Sequence, residues 1–328
     1  MKWIYRRLIG VLVTIFSTIS IIFFLIRLMP GNPIDYLVTQ YVESGIPYDE
    51  AYRLVSAAFR ISLNKPLHVQ YLEFLFNLLK GDLGESIVYR SPISSILAYA
   101  IPWTIFTVSL GLFLSFLGGI FLGLLCAYKR SSWIDRILSI LATSSVAIPN
   151  YILAYIFIII FCRLLRLFPM RAAYDPVRVT PGFNLPFIID VLYHAILPML
   201  CYFAAGFGTW LLRMRNSTVS VLGEQYISFA RARGLPERRI MWKYVGRNAI
   251  LPVFTILAIN IGYIFGGSAL IENIFQYPGI GYYISYAVFT RDYPLMQGVF
   301  FLLTVTVTLS NFIADILYSR LDPRVRAE

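Results

Sequence analysis

Six stretches of this chain carry no Asp, Glu, Lys or Arg. They run over 8–26, 91–128, 137–162, 191–212, 248–271 and 293–314. A helix crossing the hydrocarbon core of a bilayer needs about 20 mostly apolar residues, so each stretch can hold one span. The longest begins with Ser91-Pro92, and Pro102 marks the start of its helix. The pattern predicts six transmembrane helices, near 8–28, 102–127, 137–162, 191–212, 249–271 and 293–316. Composition agrees: 58% of residues are hydrophobic and 14% charged. That leaves too few polar residues to cover a soluble enzyme and too much apolar surface for a disordered chain. A β-barrel would alternate apolar and polar residues, which these stretches do not.

A seventh uncharged stretch, 273–290, contains the turn-forming cluster Tyr277-Pro278-Gly279-Ile280-Gly281. Its tyrosines suit an interface better than lipid tails, and it reads as an external loop, partly re-entrant at most. The first span has a basic flank (Lys2, Arg6, Arg7) but a long apolar run and no small-residue cleavage site. It reads as a retained anchor helix, not a signal peptide. With the N-terminus inside, the cytoplasmic segments 1–7, 128–136, 213–248 and 317–328 hold 17 Lys and Arg against 5 Asp and Glu. The external segments 30–101, 163–190 and 272–292 hold 10 against 11. Basic residues stay inside, so both termini are cytoplasmic and the net charge of +11 reflects topology, not nucleic-acid binding. Cys126, Cys162 and Cys201 are isolated, and His68 and His194 have no evident carboxylate or cysteine companion. Neither a disulfide framework nor a metal site is indicated.

The external stretch 30–98 offers two short helices, Tyr48–Phe59 and Pro66–Lys80. The second places apolar residues at helical spacing and suits the membrane interface or a cap on the bundle. In the second span Gly111, Ser115, Gly119, Gly123 and Ala127 recur every four residues. Such a stripe lets another helix approach closely. Gly262 and Gly266 repeat the pattern in the fifth, beside Gly267, and there a polar path is the other reading because Asn260, Tyr263 and Ser268 sit close by. No carboxylate falls at the centre of any predicted span, and Asp315 lies near the inner end, within reach of Arg320. A proton-coupled carrier would need such groups. The polar residues Asn150, Thr209, Trp210, Asn260, Tyr263 and Ser268 are the candidates to line a pathway; helix packing is their other use.

The inner segment 213–248, with eight basic residues, is too long for a simple connector. Residues 224–233 favour a helix, Gly234 can end it in a left-handed cap, and Leu235-Pro236 restarts the chain with Pro236 at the first helical position. Two short helices at a glycine corner make a docking element for a cytoplasmic protein. The alternative is a basic loop touching lipid phosphates. Tyr226, Phe229, Ala230 and Leu235 supply apolar contacts among the arginines.

This segment resembles the "EAA" loop of ABC-transporter permeases, above all those of the dipeptide/oligopeptide family. The run Ala230-Arg231-Ala232-Arg233-Gly234-Leu235 is similar to that family's Ala-Arg-Ala-Lys-Gly-Leu. Gly246-Arg247-Asn248-Ala249-Ile250-Leu251-Pro252 is similar to its Leu-Arg-Asn-Ala-Leu-Leu-Pro. Further matching stretches are Pro30-Gly31-Asn32-Pro33, Leu63-Asn64-Lys65-Pro66 and Gly81-Asp82-Leu83-Gly84. Nearer the end come Glu272-Asn273-Ile274-Phe275, the Tyr277-to-Gly281 run, Arg291-Asp292-Tyr293-Pro294 and Leu321-Asp322-Pro323-Arg324. The long external stretch resembles the first, "B-type" permease. The general Glu-Ala-Ala pattern is replaced by Ser228-Phe229-Ala230, as in the peptide branch, and Glu224 is not the general glutamate.

The resemblance implies an all-α fold of the type I ABC importer permease, with both termini inside. It divides the chain into an anchor helix (1–29), an external segment (30–98), a permease core (99–318) and a cytoplasmic tail (319–328). It also implies an importer of di- or oligopeptides. The partners would be a second homologous permease, two cytoplasmic ATPases holding ATP and Mg, an external substrate-binding protein and membrane lipid. The expected ATPase-coupling residues are Glu224, Tyr226, Phe229, Ala230, Arg231, Ala232, Arg233, Gly234, Leu235, Arg247, Asn248 and Pro252. The external-loop motif comprises Glu272, Tyr277, Pro278, Gly279, Gly281 and Asp292. The chain has no Gly-Lys dipeptide, hence no Gly-x4-Gly-Lys-Ser/Thr phosphate loop, and is not the ATPase. No catalytic or metal set is expected, nor any cofactor on this chain. The same machine importing oligosaccharides or nickel is the alternative cargo. A self-contained carrier or channel is the alternative class, and a membrane enzyme has no paired carboxylates or nucleophile to support it.

Overall fold

The computed structural model describes residues 2–29, 38–39, 41–58, 65–264 and 269–321. The first apolar stretch is helix α1 (Lys2–Leu28). Outside it come two short helices, α2 (Tyr48–Ala58) and α3 (Leu67–Leu79), close to the bounds their periodicity predicts. The second long helix, α4 (Ile93–Tyr128), begins at an N-cap on Pro92, so Pro102 lies inside it and does not start it. A proline there lacks the N–H that would bond the Ala98 carbonyl. Membrane helices tolerate this where neighbours satisfy the freed group.

The stretch expected as one helix over 137–162 is two. Helix α5 (Trp133–Ala147) and helix α6 (Asn150–Phe157), which widens into a π-helical turn over Ile158–Leu164, meet at 106°. Ile148 precedes Pro149 and is extended (φ −83°, ψ 123°), because the proline ring excludes helical geometry from the residue before it. Helix α7 (Leu185–Leu222) starts where the Asn184 side chain accepts from Phe187 N. Its 38 residues reach about 57 Å, well beyond a bilayer core. It therefore passes the predicted end at 212, and the first part of the expected cytoplasmic loop, 213–222, is an extension of this helix.

Helix α8 (Gln225–Ala232) follows, then α9 (Glu237–Arg239), a π-helical stretch (Ile240–Gly246) and α10 (Arg247–Tyr263) without a break in helical backbone. The region read as a seventh, external loop holds α11 (Ala269–Ile274) and α12 (Ile280–Thr290), joined by the turn at Tyr277-Pro278-Gly279. It is mostly helix, which corrects the loop reading. Helix α13 (Tyr293–Leu321) ends the described chain. Among the described residues, α1, α4, α7 and α13 are long and apolar enough to span, and the bent α5–α6 pair makes a fifth candidate. The predicted span 249–271 divides into the 17-residue α10 and the start of α11, with 265–268 outside the described residues.

The small-residue stripe of α4 lies against α7. Gly111, Ser115, Gly119, Gly123 and Ala127 are all buried. A methyl group added at Gly119 would overlap Trp210, and one at Gly123 would meet the Leu211 carbonyl. Gly208, on α7, rests on the Ala142 carbonyl of α5. Gly208→Ala is expected to cost about 1–3 kcal/mol, because the opposing atom is backbone and cannot yield. Gly118→Ala faces only the edges of the Phe203 and Phe207 rings, at 3.4 and 3.7 Å, and should be near neutral. Thermal unfolding of the two variants checks the difference.

Candidate functional site

At the cytoplasmic corner, Glu224 is the extended residue before α8. Ile227 and Ala230 point inward to a core built from Phe116 and Leu124 of α4, Trp210 and Met214 of α7, and Ile240, Val245, Ala249 and Val253. Leu235 packs on its edge. The other face of α8 is outward, with Tyr226 40% and Phe229 65% exposed. Gly234 takes φ +70°, its N–H donates to Arg231 O (2.8 Å) and Leu235 N–H donates to Ala230 O (3.3 Å). That is a Schellman ending, with glycine where a side chain would be strained. Pro236, expected at the first helical position, is instead the N-cap of α9, one position before its first helical residue Glu237. Arg231 pairs with Glu237 across the corner at 2.8 Å, an exposed bridge of little energetic weight. Ala232, Arg233 and Arg247 lie on the exposed side, Asn248 donates to Tyr244 O, and Pro252 sits inside α10.

Beside this corner lies an ion pair not anticipated from sequence. Arg215 of α7 donates through Nε to Asp135 Oδ1 (2.7 Å) and through an Nη to Oδ2 (2.9 Å). Ser131 N–H and Ser139 Oγ–H complete the carboxylate, which is buried. Ser132 caps α5 by accepting from Asp135 N. The Ser-x-x-Asp spacing was visible in the chain; its arginine partner, 80 residues away, was not.

On the external side, two motif carboxylates are buried. Glu272 of α11, just beyond the fifth predicted span, accepts from Thr104 Oγ1 (2.9 Å), Gly281 N (2.7 Å) and Tyr282 N (3.3 Å). Thr104 Oγ1 in turn accepts from Ile280 N at 2.8 Å. Burial raises the Glu272 carboxyl to about 7, while its donors pull the other way. Gly279 closes the cradle, since a Cβ there would collide with both the Glu272 carboxylate and the Thr104 hydroxyl. Tyr277 is buried edge-on against Trp103. Pro278 sits in the turn. Asp292 accepts from Ser86 Oγ (2.5 Å), Val88 N (3.1 Å) and Leu295 N (3.1 Å). It thus ties the external segment to the first turn of α13. Tyr89 lies over Tyr283 and Tyr286, and burial pushes its phenol pKa up. Thr104, Trp103 and Ser86 completed these sites unannounced, because single Thr, Trp and Ser residues in apolar runs carry no signal.

The described pathway candidates lie on three helices, α6, α7 and α10. Asn150 is exposed at the start of α6, Trp210 is buried edge-on against Phe116, and Thr209 is half-buried. Asn260 donates to Ile256 O of its own helix. Gly262 lies in α10, and Asp315 and Arg320 in α13, but the side chains of Tyr263, Asp315 and Arg320 lie outside what is described, as do Gly266, Gly267, Ser268 and the motifs at 30–33, 63–64 and 322–324. His194 does have a carboxylate companion, contrary to the sequence reading: Asp190, one turn earlier, with Nδ1 3.4 Å from Oδ2. The described residues hold no cluster of three His, Cys, Asp or Glu side chains.

The family described as "Binding-protein-dependent transport system inner membrane component" matches residues 119–327. A Brucella suis biovar 1 (strain 1330) protein named as a peptide permease is 32% identical over 325 residues, 98% of each chain. The glutathione transport system permease protein GsiC of Salmonella choleraesuis (strain SC-B67) is 29% identical over 326 residues, 99% of each. That of Escherichia coli O6:H1 is 28% identical over the same length. With its apolar helices, the chain is thus a multi-pass inner-membrane transport component and not an enzyme, and it belongs to the permeases of binding-protein-dependent ABC importers, on their dipeptide and oligopeptide branch.

Proposed function

We propose that this chain is the first, B-type permease of an importer of di- and oligopeptides. It forms half of the pathway, and a second homologous permease completes it. The names of the relatives, peptide permease and glutathione transport permease, support this cargo. An external binding protein delivers the substrate, and two cytoplasmic ATPases, which hold ATP and Mg, drive the cycle. Helix α8 seats in a cleft on one ATPase. The observation that carries the coupling role is the two-sidedness of α8: Ile227 and Ala230 are locked in the core while Phe229 and Tyr226 stand outside. Motion of the ATPase then reaches α4, α7 and α10 through that core, as a rigid short element acting on packed helices.

Phe229→Ala tests this reading. The residue is exposed, so the fold should keep its stability within about 0.5 kcal/mol. An aromatic anchor at an interface is worth about 2 kcal/mol, so substrate-stimulated ATPase activity of the co-expressed complex at limiting ATPase should fall about 30-fold. Undiminished stimulation would count against docking through α8. Uptake assays with peptide and oligosaccharide libraries test the cargo, and transport of sugars alone would replace it.

A further inference from the structure

Helix α3 belongs to the segment that topology places outside, yet its contacts lie alongside the outer turns of the first span. Tyr71 Oη and Ser20 Oγ are 2.6 Å apart. The Phe23 ring lies 5.3 Å from those of both Tyr71 and Phe74, and Arg27 Nε donates to Gln70 at 3.0 Å. At 1.5 Å per residue, Ser20 is about 12 Å and Phe23 about 7 Å below Leu28, where α1 emerges. Tyr71 and Phe74 therefore meet α1 at the depth of acyl chains.

The sequence of α3 divides it into three stripes. Tyr71 and Phe74 face α1. Glu73, Asn77 and Lys80 form a polar flank, with Glu73 paired to Lys65 at 2.5 Å. Leu72, Phe76 and Leu79, spaced four and three residues apart, form the side away from α1 and are 61%, 58% and 87% exposed. Lys80 Nζ lies 4.1 Å from the Phe76 ring centre, a cation–π contact between the polar flank and the apolar side.

We propose that α3 lies in the outer leaflet as an interfacial helix, with Leu72, Phe76 and Leu79 against lipid acyl chains and its polar flank toward external water. Two features argue for lipid as the occupant. The first is the depth fixed by α1. The second is the apolar–polar division, which matches helices that settle about 5–10 Å into the headgroup boundary. The inference rests on the N-terminus-inside topology that the charge distribution gives and on which the proposed function stands, so that topology is checked separately, by labelling a cysteine at Ser44 (S44C) with an impermeant maleimide.

The test uses the full chain assembled with its transporter partners in lipid nanodiscs. Cys162→Ala leaves the two buried cysteines, Cys126 and Cys201. A fluorophore on a single cysteine, L72C, F76C or E73C, is quenched from lipid by chains carrying shallow or deep doxyl groups, and from water by iodide. The expected result is lipid quenching at 72 and 76 at least threefold above that at 73, stronger from the shallow position, with iodide showing the reverse order. Iodide quenching at 72 equal to that at 73, with none from lipid, would overturn the proposal and leave the face to the external binding protein. Protection from both quenchers would also overturn it, in favour of another permease chain. Labelling of S44C only from the cytoplasmic side would overturn the topology itself.

Discussion

Glu272→Ala is expected to destabilise the outer half of the bundle by about 3–5 kcal/mol. The carboxylate is the common acceptor for the Thr104 hydroxyl and the Gly281 and Tyr282 amides, and it is 1% exposed. Each buried donor left without a partner costs about 1–3 kcal/mol. Alanine also leaves a void beside Gly279, into which the turn can sag. Glu272→Gln keeps an acceptor oxygen for the two amides and should cost about 1 kcal/mol. Thermal unfolding in nanodiscs measures both, and an alanine variant that melts like the parent would show that the cradle contributes nothing. The same carboxyl predicts a pH signature. Its value near 7 in the fold exceeds the ordinary 4.5. Between these pH values the folded chain keeps a proton that the unfolded chain has released, so stability declines as pH rises through the window and levels above it. Glu272→Gln should remove that slope.

Gly234→Val is expected to abolish coupling while leaving the membrane helices inserted. There is nothing within 4 Å of a Cβ built at Gly234, so no collision arises. The cost is conformational: φ +70° is strained by about 1–2 kcal/mol for an L-residue, and more for a β-branched one. The valine relieves it by rotating out of the left-handed region, which breaks the Gly234 N to Arg231 O and Leu235 N to Ala230 O bonds and swings α8 relative to α9. Substrate-stimulated ATPase activity of the assembled complex should fall at least tenfold, by analogy with the loss of about 1.4 kcal/mol or more at an interface. Gly234→Asn, which tolerates the left-handed region, should retain most of it. If asparagine failed as completely as valine, the backbone explanation would be wrong and a close approach of the ATPase would replace it.

How much was legible follows from the range of each signal. Uncharged runs place α1, α4, α7 and α13 because burial in lipid demands a continuous apolar stretch. The four-residue stripe of α4 foretold a close helix contact because small residues at that period make a groove, although not that α7 fills it. The left-handed ending at Gly234 was legible because its cause is local. Bounds were less so: Pro102 suggested a start, but in a membrane helix proline is tolerated, and the break came at Ile148-Pro149. The buried networks were the least legible. The motif marked Glu272 and Asp292, but their partners Thr104 and Ser86 lie 168 and 206 residues away. Asp135 and Arg215 looked like ordinary cytoplasmic charges until the fold placed them face to face.

Helix α4 takes part in both sites. Leu124, near its inner end, touches the core that holds α8, and Thr104, near its outer end, is bonded to Glu272. Twenty residues separate them, about 30 Å of continuous helix. Over Gly111 to Gly123 this rod has almost no side-chain layer between itself and α7. Cushioned helices can slide by changing rotamers; two backbones in direct contact cannot. Under the coupling role proposed above, a push at the inner corner would not be dissipated within the membrane: the pair would act as a stiff beam and carry a displacement of α8 toward the turn at Gly279 on the other side.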